Sequence, residues 1–134
     1  MVLTRPVTQT KISTTDFGQP VYDWIMANTP TAWTNLALIN GWTNKGGASP
    51  PSRYRKIGDM VTVQVAVGGG SNGVAIAQLP VGHIPIWEAT LLARAGGSPP
   101  QAILMVQTTG LVIPYYPAGA TTDMCIGILT FPLT

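Results

Sequence analysis

Charge is what this sequence has least of. Asp, Glu, Lys and Arg make up 9% of its 134 residues, against about 25% in an ordinary soluble domain. None of the four occurs from Met60 to Trp87 or from Ala95 to Thr122. The net charge is +2, and the basic residues cluster only at Arg53, Arg55 and Lys56. That excludes nucleic acid as a main partner, because phosphate binding needs clustered cations. Long apolar runs are missing as well: hydrophobic residues reach 46%, but Gly, Pro and polar residues interrupt them before the ~20 apolar residues of a spanning helix, which excludes membrane insertion by helix. A chain so poor in charge and rich in apolar residues is expected to bury surface against other chains, since interface cores are depleted in charge. An obligate oligomer follows as the expectation.

Cysteine and histidine each occur once. Cys125 has no partner for an intrachain disulfide, and its setting, Met124-Cys125-Ile126, is that of a buried structural thiol. His83 and the scattered Asp59, Glu88 and Asp123 lack ligand spacing, so no metal is expected. A nucleophile elbow is absent, and so is a pair of acids placed to share one cleft. Gly68-Gly69-Gly70 follows a strand-like run, yet it lacks the Lys-Ser/Thr ending of a phosphate loop and no helix follows. These absences exclude the common enzyme signatures, and no cofactor is expected. Met1 to Pro6 begin no apolar run of the kind a signal peptide carries, so the chain is expected to be made in a cytoplasm and kept there or assembled into something larger.

What the sequence does have is β punctuation. Its 12 prolines and 15 glycines fall mainly between short runs rich in Val, Ile, Thr and aromatics. The firmest unit is Arg53 to Val67. Gly58-Asp59 suits a primed hairpin turn, pairing Ile57 with Met60, Lys56 with Val61, Arg55 with Thr62, Tyr54 with Val63 and Arg53 with Gln64. Side-chain alternation then puts Tyr54, Val61, Val63, Val65 and Val67 on a core face and Arg53, Arg55, Thr62 and Gln64 on the other, with Lys56 snorkelling out near the turn. Further strands are expected over 33–39, 74–79, 86–95, 102–107, 111–115 and 124–131. Seven or eight short strands at this spacing predict an all-β protein, a β-sandwich or jelly-roll-like domain over residues 31–134.

Ahead of it, residues 1–12 read as an extended arm. A short helix follows, with Thr15 or Asp16 as cap, Pro20 in its first turn and Asn28-Thr29-Pro30 as its stop. Phe17, Val21, Trp24 and Ile25 share one side of this helix at helical spacing. It is too short to stand alone in water, so that side must pack on the β domain, on symmetry mates or on a partner. Residues 1–30 are therefore expected to anchor the protein. Among the aromatics, Trp33, Tyr54 and Trp87 sit in strand patterns and are expected in the core. Trp42, Tyr115 and Tyr116 border loops, where glycan contact and intersubunit packing stand equally open. Arg53, Arg55 and Lys56 are candidates for intersubunit contact with acids of a neighbouring chain.

The order of four segments carries a resemblance. Pro30-Thr31-Ala32-Trp33-Thr34-Asn35-Leu36 comes first, then Asn40-Gly41-Trp42-Thr43-Asn44. Pro51-Ser52-Arg53-Tyr54-Arg55-Lys56-Ile57-Gly58-Asp59 follows, then Ile76-Ala77-Gln78-Leu79-Pro80-Val81-Gly82-His83-Ile84-Pro85. Together they resemble the small β domains of tailed-phage virion proteins, which recur at the C-termini of minor tail and receptor-binding proteins. Ile12 to Val21 is similar to the short lead-in helix before such domains. The resemblance covers roughly residues 12 to 87. It implies a homotrimer of β-sandwich domains whose N-terminal segment docks onto other virion proteins, and a tail-associated or host-surface-binding role. The virion is then its location, on the tail or the capsid surface. Because the chain is little more than the domain, capsid decoration or a head-fibre role is an alternative, as is a free carbohydrate-binding, lectin-like module.

Overall fold

The computed structural model describes residues 18–134. Its helix α1 runs Gln19–Asn28 and is followed by nine strands: β1 (Thr34–Asn35), β2 (Thr43–Asn44), β3 (Arg53–Ile57), β4 (Met60–Gly68), β5 (Ala77–Gln78), β6 (Ala89–Gly97), β7 (Gln101–Val106), β8 (Leu111–Tyr115) and β9 (Ala120–Pro132). All are antiparallel neighbours in one sheet, in the order β1-β3-β4-β9-β6-β7-β8-β5, with β2 paired to β4 beyond the end of β3.

The β3–β4 hairpin has the register expected from its sequence, from Ile57 opposite Met60 to Arg53 opposite Gln64. Gly58 takes φ +55° while Asp59 does not enter the left-handed region, the combination a II′ turn requires and only glycine adopts without strain. Val61, Val63, Val65 and Val67 are all fully buried. The sheet curls so that this valine face meets the inward residues of β6, β7 and β8, and Ala93, Leu104, Val106 and Val112 join the same core cluster. The all-β expectation therefore holds, as one curled sheet closed over a single core.

The 13-residue β9 makes the closure possible. Its C-terminal part pairs with β4 through Cys125 to Pro132, and its N-terminal part pairs with β6 through Ala120 to Ile126. Cys125 is fully buried, as its setting in the sequence implied.

Several sequence expectations change. The strand read over 33–39 shrinks to Thr34–Asn35; beyond it the chain is held by separate bonds, Leu36 N–H to the Ser52 carbonyl and Ile39 N–H to the Ile76 carbonyl, each 2.9 Å. The two-residue β2 has too short a pattern to announce itself. Buried Ser52 fixes that region, donating its N–H to Asn44 Oδ1 at 2.8 Å and accepting from Ala66 N–H at 3.0 Å. The strand read from Ile86 begins at Ala89, which leaves Trp87 outside the ladder and 77% exposed. Gly18 is the helix N-cap, in place of Thr15 or Asp16, which lie with the expected arm and Phe17 outside the described residues.

The strand directions give the domain two ends. One end carries the Gly58-Asp59 turn, the close of β9, the start of β6 and the 80–88 loop, and α1 joins it there, with Ala27 and Asn28 beside Gly58. The other end carries the 69–73 loop and the β6–β7 and β8–β9 turns.

Candidate binding site

The outward faces of the sheet hold two features that a partner can reach. The first is at the β1–β3 edge. Strand alternation turns Arg53 and Arg55 away from the core, and Trp33, one residue before β1, lies under both. The Arg53 guanidinium carbon is 4.5 Å from the indole centroid and that of Arg55 is 4.4 Å, within the range of cation–π attraction. Trp33 is thus half-buried beneath two arginines instead of lying in the core. Arg53 also donates from Nε to Gln64 Oε1 at 2.9 Å, its cross-strand partner. Arg55 Nε is buried with no hydrogen-bond partner among the described residues. Lys56 alternates to the opposite side of β3, so the structure separates it from the two arginines.

The second feature crosses the far half of the sheet. Leu92 stands opposite Ile103 and Ile103 opposite Tyr115, and the three are 66%, 47% and 38% exposed. They line a shallow cleft of about 350 Å³ completed by Gln101, Ala102, Tyr116 and Pro117. Tyr115 is therefore placed as a surface aromatic with an apolar floor beside it.

The other two aromatics proposed for contact are buried. Trp42 is 3% and Tyr116 8% exposed, and their rings stack at 6.4 Å and 11°. The indole N–H of Trp42 donates to the Val74 carbonyl at 3.1 Å, and the Tyr116 hydroxyl donates to the Met124 carbonyl at 3.1 Å. Asn72 grips the Tyr116 backbone twice, accepting its N–H at 2.8 Å and donating to its carbonyl at 3.1 Å. A side chain on Gly70 would collide with the Trp42 ring, so the glycine-rich loop lies flat on the indole. Both rings serve the core and the loop above it, and Tyr116 reaches the cleft only as part of its wall. Burial raises the Tyr116 hydroxyl pKa well above its usual value and pushes the Cys125 thiol up to about 11. The thiol is thus protonated at neutral pH and unsuited to nucleophilic chemistry.

On α1 no residue is buried. Val21 and Trp24, 45% and 67% exposed, face outward together with Met26 at 57%, and Ile25 is half-buried. Val81, 93% exposed, lies in the Pro- and Gly-marked stretch 80–85 that the sequence places between strands, whereas Trp87, expected in the core, is exposed beside it; both belong to the 80–88 loop at the same end of the domain. His83, in that loop, stacks edge-on against Tyr54 at 5.1 Å, and its Nδ1 is buried without a partner among the described residues. Among the described residues no three metal-ligating side chains come together, and no helix is long and apolar enough to cross a membrane.

No family model and no curated protein matches the chain. Solved structures do. The receptor binding protein of Listeria phage PSA superposes with a TM-score of 0.60 at 19% identity, over 84% of this chain and 71% of that one. The head domain of lactococcal phage bIL170, described with the receptor binding domains of lactococcal phages, gives 0.50 at 16% identity, over 77% of this chain and 98% of that one. At these identities the likeness is one of fold, and it agrees with the order of segments read from the sequence: the chain has the small β fold found in phage receptor-binding proteins.

Proposed function

We propose that this chain is a non-enzymatic structural protein of a tailed-phage virion whose β domain binds the host surface. The observation that carries the reading is the fold likeness to the Listeria phage receptor binding protein across 84% of the chain. In this reading the protein is a homotrimer on the phage tail, made in the host cytoplasm. Residues 1–30 dock it onto other virion proteins, with exposed Val21 and Trp24 among the contacts. The Leu92–Ile103–Tyr115 cleft supplies an aromatic platform for a host-surface glycan, since a tyrosine ring beside an apolar floor suits the flat face of a sugar. Arg53 and Arg55 are contact residues that call for an acidic counterpart.

Labelled antibody on assembled particles tests the location: the protein is expected at the tail tip, and label confined to capsids would show a decoration protein instead. Purified host cell walls test the binding, which is expected to be saturable and weakened by Tyr115→Ala. A mass of one protomer in solution at micromolar concentration would overturn the trimer.

A further inference from the structure

The arrangement at Trp33 holds two arginines still without using most of their hydrogen-bonding capacity. Cation–π stacking engages the flat face of a guanidinium and leaves its N–H rim free. Arg53 spends one N–H of that rim on Gln64; among the described residues Arg55 spends none, and its Nε is buried and unpartnered. Among the described residues no carboxylate pairs with either. Two unneutralised cations two residues apart on one strand repel each other, and an orphaned buried donor costs stability. Strand pairing alone explains neither feature, because Thr34 opposite Tyr54 and Asn35 opposite Arg53 set the β1–β3 register without them.

We propose that the Trp33–Arg53–Arg55 edge is a binding site for an oxyanion, a phosphate or carboxylate group carried on a ligand at the host surface. The planar forks of both guanidiniums donate to such a group in pairs. Both guanidinium carbons lie within 4.5 Å of one ring centroid, so two positive charges are gathered at one indole and favour an anion there. Stacking on the indole has already restricted the two side chains, so little rotamer freedom is lost on binding. Thr62, opposite Arg55 in the register, and Thr130 lie on the same outward face, their hydroxyls 3.0 Å apart, and add neutral polar groups beside the cations. The site rests on the host-binding reading only for the origin of its ligand; oxyanion binding belongs to the isolated chain.

The test is a titration of the full chain with inorganic phosphate, glycerol 2-phosphate and acetate at low salt, followed through the Nε–H resonances of the two arginines. Saturable shifts at Arg55, and at Arg53 to a lesser degree, are expected. The ranking of the three probes identifies whether phosphate or carboxylate is preferred. Arg53→Gln/Arg55→Gln should weaken binding at least about tenfold, measured by calorimetry on protein whose melting temperature confirms that it is folded. Arg55→Lys, which keeps charge but loses the fork, should weaken it by a smaller factor. Absence of saturable shifts with all three probes up to about 100 mM, or equal affinity in the double variant, overturns the proposal. So does a lower solution mass of the double variant with no anion response in the parent, which would assign the edge to subunit contact. The two readings separate on purified cell walls: walls bound equally by parent and double variant sink the oxyanion site alone, whereas anion binding without wall binding sinks the host-surface reading alone.

Discussion

Two tryptophans nine positions apart meet opposite fates in this domain. Trp42 is buried, its N–H is bonded to Val74, its ring is stacked on Tyr116 and Gly70 lies flat against it. Trp33 is half-buried and stacked against two guanidiniums. The first ring joins a loop to the core, and its environment is satisfied from within the chain. The second lies at the sheet edge, and the groups around it are left with donors to spare. Satisfied polar atoms mark structure, and orphaned ones mark a place where something else is expected to bind.

The contrast can be broken most directly by truncating each ring. Trp42→Ala is expected to destabilise the protein by about 4 kcal/mol in urea denaturation, the range for emptying a large buried aromatic site. Trp33→Ala should cost only about 1 kcal/mol, since half its surface is already outside the core. Equal losses would show that the two rings do the same job.

A somewhat smaller effect comes from pH near the buried ring. Burial raises the Cys125 pKa from 9.0 to about 11, so the folded state holds a proton that the unfolded chain releases first. Its contribution is fully present below about pH 9 and is lost as pH rises toward about 11, a loss of order 2 kcal/mol. Tyr116, also raised, adds a further loss above its ordinary value of 10.0. Melting temperatures from pH 8 to 11 should fall, and Cys125→Ala should flatten the part of that fall below pH 10. A flat profile in the parent would mean that the thiol is open to water.

Gly58→Ala should cost about 1 kcal/mol, because φ +55° lies in the left-handed region. Arg53→Gln and Arg55→Gln should each change stability by less than about 1 kcal/mol while altering anion binding, the reverse of the pattern at Trp42. The smallest effect is expected at Trp87, where replacement by Ser should leave stability within about 0.5 kcal/mol. A large loss there would return Trp87 to the core, where its sequence setting puts it.

The misreading of Trp87 and Trp33 shows where the sequence stops being informative. Both stand in runs that alternate like strands, and alternation says which residues share a face without saying where the ladder starts. Ile86 to Glu88 stay outside the ladder because pairing begins only at Ala89 with Val106, an outcome set by a strand elsewhere in the chain. The same limit applies to Trp42 and Tyr116. Each borders a loop in sequence, yet the loops fold back over them through Asn72 and Gly70. Only Tyr115, next to Tyr116 but on the other face of β8, remains at the surface. Of the outward face, Arg53, Arg55, Thr62 and Gln64 were legible from alternation; their relation to Trp33 was not, because the indole reaches them from another strand's end.

By itself the sequence determined the all-β class and the β3–β4 hairpin down to its register, together with the short helix ended by Asn28. Those features rest on neighbours: a glycine at the one turn position that needs it, valines two apart, a proline in a first helical turn. The tertiary structure alone decided that β9 joins β4 to β6, which aromatics are buried and which two arginines share one indole. Such outcomes depend on contacts between residues distant in the chain, where side-chain alternation and turn chemistry carry no information.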